Sequence, residues 1–248
     1  MTSSLLAPRR RTTPRVARPS EAIGGGCEAT AILDWRAPEV TALVAGLDAP
    51  DDGGYLRAAH QRIAATVRPV YAMDELQRVS RTLAVRRGCC SQRLAVLEAC
   101  ARSAGIATRV RGIVADGEFW YARFPRWTWL VPERVVLAWP EFRVDDAWLE
   151  TGELFGPLDE MAACGIGFSN TDGETLFDAI GRTAVDWGGR TGVAACDLSA
   201  LVQEDLGHFD SRDELFATHG QTLSRPALRI IDPVLGRTNV LPRASQHP

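Results

Sequence analysis

The stretch Arg87-Gly88-Cys89-Cys90-Ser91-Gln92-Arg93, and the run it opens as far as Gly105-Ile106-Ala107-Thr108-Arg109-Val110-Arg111-Gly112, decides how this chain is read. A small turn residue precedes two thiols. Leu94, Leu97, Ala101 and Ala104 then recur at helical spacing, which predicts a helix over 91–104. Gly105 stands at the position where helices take a left-handed residue. A β-branched run over 107–115 turns back as a strand, and Asp116-Gly117 ends it.

This arrangement has a chemical consequence. Backbone N–H groups at a helix start have no intrahelical partner, and the helix dipole favours negative charge there. Arg86, Arg87 and Arg93 are close in sequence. Both effects favour a thiolate at Cys90. The competing reading makes Cys89 and Cys90 small buried apolar residues. A thiolate nucleophile also needs a base and a group that orients the base. The helix runs about 21 Å away from Cys90, and the strand returns roughly 30 Å. Asp116 therefore comes back to about the level of Cys90, although Asp-Gly is also a common turn pair.

Working outward, 248 residues with 46% hydrophobic content suffice for a packed core. The net charge of −3 gives no electrostatic case for nucleic acid. All 28 basic residues are Arg, so lysine nucleophiles and Schiff bases are excluded. The six cysteines, at 27, 89, 90, 100, 164 and 196, show neither metal-ligand spacing nor a disulfide framework. No metal or cofactor is expected, and the usage fits a reducing, cytoplasmic setting. Arg9-Arg10-Arg11 has no apolar stretch behind it, so it does not read as a secretory signal.

Residues 1–26 are rich in Ser, Thr, Pro, Arg and Gly and read as a disordered tail. Residues 27–248 read as one domain with a helical extension from about 156. Helices are expected over 38–47, 55–67 and 74–85, before the Cys-bearing helix. Residues 118–124 read as extended, 125–132 as an aromatic loop, and 134–144 as a strand. Asp145-Asp146 reads as a hairpin turn and 147–150 as the partner strand. Beyond 156, helices are expected over 158–164, 175–185 and 197–206, and a last strand over 228–231. Ser211 and Glu214 form a capping box for a helix that ends at Gly220. The fold class is α+β, with the Cys-bearing helix packed on an antiparallel sheet and further helices on both sides.

The four histidines divide by context. His60 lies on an apolar helix face and reads as a core residue. His247 is at the chain end. His219 closes a helix, where a cation suits the dipole. His208 reads as a loop residue with no structural task, and it is the preferred general base, with His219 second. Trp120, Tyr121, Trp127 and Trp139 are candidate binding-site residues, with ordinary core packing as the competing reading.

Gly88-Cys89-Cys90, the helix after it, Gly105-Ile106-Ala107-Thr108-Arg109, Gly112, Ala138-Trp139-Pro140-Glu141-Phe142 and Trp148 together resemble a transglutaminase-like core. The likeness covers about 80–150 and assigns the nucleophile position to Cys90 rather than Cys89. The family's catalytic His precedes Ala-Trp, and that position is Leu137 here. Its Asp follows the next Trp, where this chain has Leu149, Glu150, Thr151 and Gly152. Among proteins of this kind, the chain is similar to the Dieckmann cyclases of tetramate and pyridone biosynthesis.

That resemblance implies a triad of Cys90, Asp116 and His208 or His219. It also implies an acyl or peptidyl carrier protein as partner, delivering a phosphopantetheine thioester. Cys90 would take the acyl group, His would remove a proton from the acidic carbon, and ring closure would expel Cys90. Arg123, Arg126 and Arg134 would face the acidic carrier. A hydrolase or amide-forming acyltransferase with the same nucleophile, and a non-catalytic binding scaffold, are the alternatives.

Overall fold

A computed structural model of the chain describes residues 23–122, 128–163, 167–168 and 174–222. The order is α1 (Pro38–Val44), α2 (Asp52–Thr66), β1 (Arg68–Pro69), α3 (Val79–Val85), β2 (Arg87–Gly88) and α4 (Cys90–Ser103). Then come β3 (Thr108–Asp116), β4 (Arg134–Val144), β5 (Ala147–Glu150), α5 (Leu158–Ala163), α6 (Leu176–Ala179), β6 (Val202–Phe209) and α7 (Arg212–His219). The mixture of helices with a four-stranded antiparallel sheet, in the order β5-β4-β3-β6, is an α+β architecture. β1 and β2 form a separate short parallel pair.

Local chemistry explains the best-read elements. α4 ends in a Schellman motif: Ile106 N–H bonds to Ala101 O and Gly105 N–H to Arg102 O, with Gly105 at φ +84°. Asp145 and Asp146, at φ +49° and +62°, make the two-residue turn between β4 and β5. Ser211 caps α7 by accepting from Glu214 N–H at 3.2 Å. Gly112 lets β3 approach α7 closely, since a Cβ there would lie 2.7 Å from Leu215 Cδ1.

α4 is enclosed on every side. All residues from Ser91 to Arg102 are buried, including three charged side chains. Arg93 meets Asp178, Glu98 meets Arg212, and Arg102 donates to Thr108 Oγ1 and to the carbonyls of Glu28, Thr108 and Asp210. Buried charge persists only when paired in this way. The helix's polar face is therefore not a solvent face. Segments distant in sequence cover it.

Several expectations change. Residues 197–206 do not form a helix; a short 3-10 turn over Ser199–Leu201 leads into β6. β3 needs hydrogen-bond partners along the edge not used by β4, and β6 supplies them. Its register shifts between Gly112 and Ile113, and Gly207 at φ +77° lies beside that point. His208 is thus a strand residue rather than a loop residue. Gly117–Trp120 is a 3-10 turn where an extended run was expected. Helix is confined to Val79–Val85 within 74–85 and to Leu176–Ala179 within 175–185. Ile23 to Gly26, placed in the tail by composition, belong to the fold: Ile23 is buried and Gly26 bonds both ways with Thr108. The strand expected over 228–231 lies outside the described residues.

Candidate functional site

Cys90 is the first residue of α4, and Cys89 is its N-cap. Cys89 sulfur accepts from the Gln92 N–H, while Gln92 Oε1 accepts from Cys89 N–H at 3.1 Å. This is a capping box with sulfur in place of a hydroxyl. Gln92 Nε2 also donates to Asp74 O at 3.0 Å, anchoring the segment before α3. Gly88 is required by space, because a Cβ would fall 2.9 Å from Thr82 Cγ2. The site's backbone is therefore held from both sides. Cys90 is partly exposed, whereas Cys89, Cys100 and Cys196 are buried.

The thiol is not the activated one that sequence proximity to arginines suggested. Burial pushes Cys90 up to about 12, and the Glu75 carboxylate adds to the rise. The Ser91 N–H and Arg93 act the other way, and Asp178 raises it again. Arg86 and Arg87 are exposed to solvent, so their fields are screened. Arg93 is buried but neutralised by Asp178, with Nη2 2.8 Å from Oδ1. Burial also raises Cys89 well above an ordinary thiol.

Two polar groups frame the thiol's helix. On one side, Ser91 Oγ donates to Glu75 Oε2, and Glu75 N–H donates to Gln221 Oε1 at 3.1 Å. Arg212 Nη1 reaches Ser91 Oγ at 3.3 Å while its Nε bonds Glu98 at 2.8 Å. On the other side, Arg93 stacks over the Phe177 ring at 4.2 Å and donates to Thr175 Oγ1 at 3.2 Å. Asp178 lies below the usual carboxylate range: burial raises it, but its bonds to Arg93 and Thr175 outweigh that. Glu75, Asp178 and Thr175 were not singled out by sequence reasoning. Thr175 and Asp178 form the capping box of α6, a local pattern legible in the sequence, but their contact with Arg93, like that of Glu75 with Ser91, arises only through tertiary packing.

Asp116 and His208 are placed apart. Asp116 caps the 3-10 turn, with Oδ1 accepting from Glu118 N–H at 2.9 Å and Oδ2 from Gln203 Nε2 at 2.7 Å. His208 pairs in register with Arg111, five residues from Asp116 along β3. That is roughly 17 Å of strand. His208 Nε2 lies 2.8 Å from Glu141 Oε1, and Glu141 Oε2 accepts from Arg109 Nε at 2.6 Å. Arg109 in turn stacks on Trp148 at 4.3 Å. Burial pushes Glu141 up, but His208 and Arg109 outweigh it and hold its carboxyl below the ordinary range. Asp116 and His208 thus bond to different partners, Asp116 to Glu118 and Gln203 and His208 to Glu141.

The remaining candidates scatter. His219 is exposed at the end of α7 and meets the Phe209 ring edge-on at 5.5 Å. His60 is buried, stacked on Phe177, with Nε2 donating to Phe177 O at 2.5 Å. Its Nδ1 has no partner among the described residues. Burial lowers its pKa. Trp120 is half-buried and meets Phe119 edge-on at 4.8 Å, and Tyr121 is half-buried beside it. Trp139 is buried against Trp187, with ring centroids 6.2 Å apart. Leu137, two residues before Trp139 on the same face of β4, is buried as well. Arg134 pairs with Glu204 at 2.6 Å. Trp127, Arg123, Arg126 and His247 lie outside the described residues. No group of three metal-ligating side chains occurs among the described residues, and no helix there is long and apolar enough to cross a membrane.

Comparison with known proteins yields one match. Residues 41–152 match the family model of the transglutaminase-like superfamily. Neither the curated proteins nor the solved structures include a match. The matched span runs from α1 to just past β5 and takes in Cys90, Leu137 and Trp139, while α6, β6 and α7 follow it. Over that span the chain is similar to a superfamily in which cysteine-based acyl transfer is common.

Proposed function

We propose that this protein is a cysteine-dependent acyl-transfer enzyme with Cys90 as its nucleophile. The observation that carries the reading is the position of Cys90: a half-buried residue that opens a buried helix, inside the span similar to the transglutaminase-like superfamily. The N–H groups at the start of α4 suit an oxyanion on a carbonyl attacked by that thiol.

The finer reading is a Dieckmann cyclisation of a carrier-bound thioester to a tetramate or pyridone. The acyl carbonyl moves from the carrier thiol to Cys90, and the Cys90 proton leaves with the carrier thiol. A base then takes the proton from the carbon between two carbonyls. The carbanion attacks the acyl-enzyme, and the Cys90 thiolate departs and is reprotonated. His208, oriented by Glu141, is the imidazole proposed for the proton transfer. Asp116 is not its hydrogen-bond partner here. The acyl donor in this reading is an acidic carrier protein.

The test uses a β-ketoacyl-aminoacyl N-acetylcysteamine thioester. The expected result is an acyl adduct on Cys90 by intact mass and a cyclic product, both lost in Cys90→Ala. Free acid or amide as product would instead favour the hydrolase or amide-forming alternative.

A second reading has its own observation. Leu137 occupies the family's histidine position, and the Cys90 thiol is held protonated by burial and Glu75. These features favour a scaffold that binds acyl ligands without turning them over. Saturable ligand binding with no adduct at Cys90 would support it.

A further inference from the structure

We propose that the indole N–H groups of Trp139 and Trp187 form a subsite for the carbonyl or enolate oxygen of an apolar acyl ligand. The two side chains are 2% and 1% exposed, and neither Nε1 has a hydrogen-bond partner among the described residues. More than nine in ten buried polar groups in proteins are paired. Here two orphan donors belong to rings in contact, 6.2 Å between centroids and 72° between planes. The rings beside them are aromatic: Phe119 lies 5.9 Å from Trp187, and Phe168 lies 5.6 Å from Phe119. An indole can donate but not accept. A ligand that satisfies the pair therefore brings oxygen lone pairs on an otherwise apolar body. Half-buried Trp120, edge-on to Phe119, carries the aromatic cluster toward the surface.

The position is also informative. Trp139 points to the same face of β4 as Leu137, which stands at the histidine position of the similar superfamily. Trp187 comes from beyond the matched span. The subsite is thus built by the C-terminal part of the chain closing on the core. Two donors suit both lone pairs of one carbonyl oxygen, or the two oxygens of a 1,3-dicarbonyl. The acyl class of the ligand rests on the acyl-transfer reading, while the need for an acceptor rests on the two orphan donors.

The experiment follows the seven indole ¹⁵N–¹H resonances of the full chain carrying Cys90→Ala, so that no turnover occurs. The 3-oxododecanoyl thioester of N-acetylcysteamine is titrated against the matching dodecyl thioether, which lacks the acyl carbonyls. Trp139→Phe and Trp187→Phe assign the two signals. The expected result is a downfield shift of both signals with the thioester and of neither with the thioether. Each Phe variant should bind the thioester about three- to ten-fold more weakly, the range expected for one neutral hydrogen bond, and the thioether equally well. Indoles that do not move, that move equally with both ligands, or that keep a contact to bound water throughout would overturn the proposal. If a Phe variant fails to fold, the absence of any thioester-specific indole shift in Cys90→Ala still overturns it. Acylation of Cys90 in the otherwise unaltered chain, with unmoved indoles, would sink this subsite alone. Indole shifts without any acylation of Cys90 would sink the enzyme reading alone.

Discussion

Arg93 Nη2 lies 2.8 Å from Asp178 Oδ1, and this ion pair ties the helix that begins at Cys90 to α6, a short helix between β5 and β6. Arg93 is buried, so Asp178 is its counter-charge. Asp178→Asn should cost about 3 kcal/mol at neutral pH, the size expected when a buried charge loses its partner. The acid dependence follows from the sign of the shift. Asp178 is depressed in the folded state, so its contribution is present above the unfolded carboxyl value of about 3.9 and is lost as pH falls through the lower folded value. Urea midpoints of wild type and variant should differ at pH 7 and converge in acid. A constant gap down to the lowest pH would show that Asp178 stays out of that linkage.

Cys90 should alkylate slowly at neutral pH. Burial and Glu75 push its thiol up to about 12, so the iodoacetamide rate should keep climbing past the ordinary thiol range. Removing the carboxylate in Glu75→Gln removes one of the causes of that rise and should speed the reaction several-fold at pH 8. A rate profile that levels off near pH 8.5 in the unaltered protein would contradict the buried thiol.

Arg212 and Glu98 form a fully buried pair between α7 and α4, and Arg212 also reaches Ser91 beside Cys90. Arg212→Met alone should destabilise the fold by about 3–5 kcal/mol, because Glu98 is left buried without its cation. Arg212→Met with Glu98→Leu should recover most of that loss. Chemical denaturation of the single and double variants measures both, and additive losses would show that the pair is not coupled.

His208 is bonded to Glu141, not to Asp116, which is held by Gln203 and the Glu118 N–H. Imidazole ¹⁵N chemical shifts of His208 should change in Glu141→Gln and stay unchanged in Asp116→Asn. The opposite pattern would place the Asp116 carboxylate next to the ring. In the cyclase reading, Glu141→Gln and His208→Ala should slow ring closure more than formation of the acyl-enzyme, which single-turnover mass spectrometry separates.

Local signals were legible wherever neighbours in sequence settle the backbone. Gly105 ends α4 because the Schellman turn needs a left-handed residue, and Asp145-Asp146 reverse the chain because both tolerate positive φ. Ser211 and Glu214 mark the start of α7 for a comparable local reason. Within 197–206 the strand begins at Val202 because β3 needs a second partner, which no local pattern in that segment records. His208 lies on that same strand for the same reason.

By itself, the sequence determined the α+β class, the start of the central helix at the vicinal cysteines and the β4–β5 hairpin. Each of these is a short-range matter of turn geometry, periodicity or spacing. Only the tertiary structure decided the electrostatics of that thiol. Arg86 and Arg87 turn to solvent, Arg93 is neutralised from 85 residues away, and Glu75 closes in from the other side. A charge acts through its distance in space and the medium between, and neither is set by separation along the chain. The stretch from Arg87 to Arg93 therefore places Cys90 at the helix start, while burial, with Glu75 and Asp178, raises its thiol.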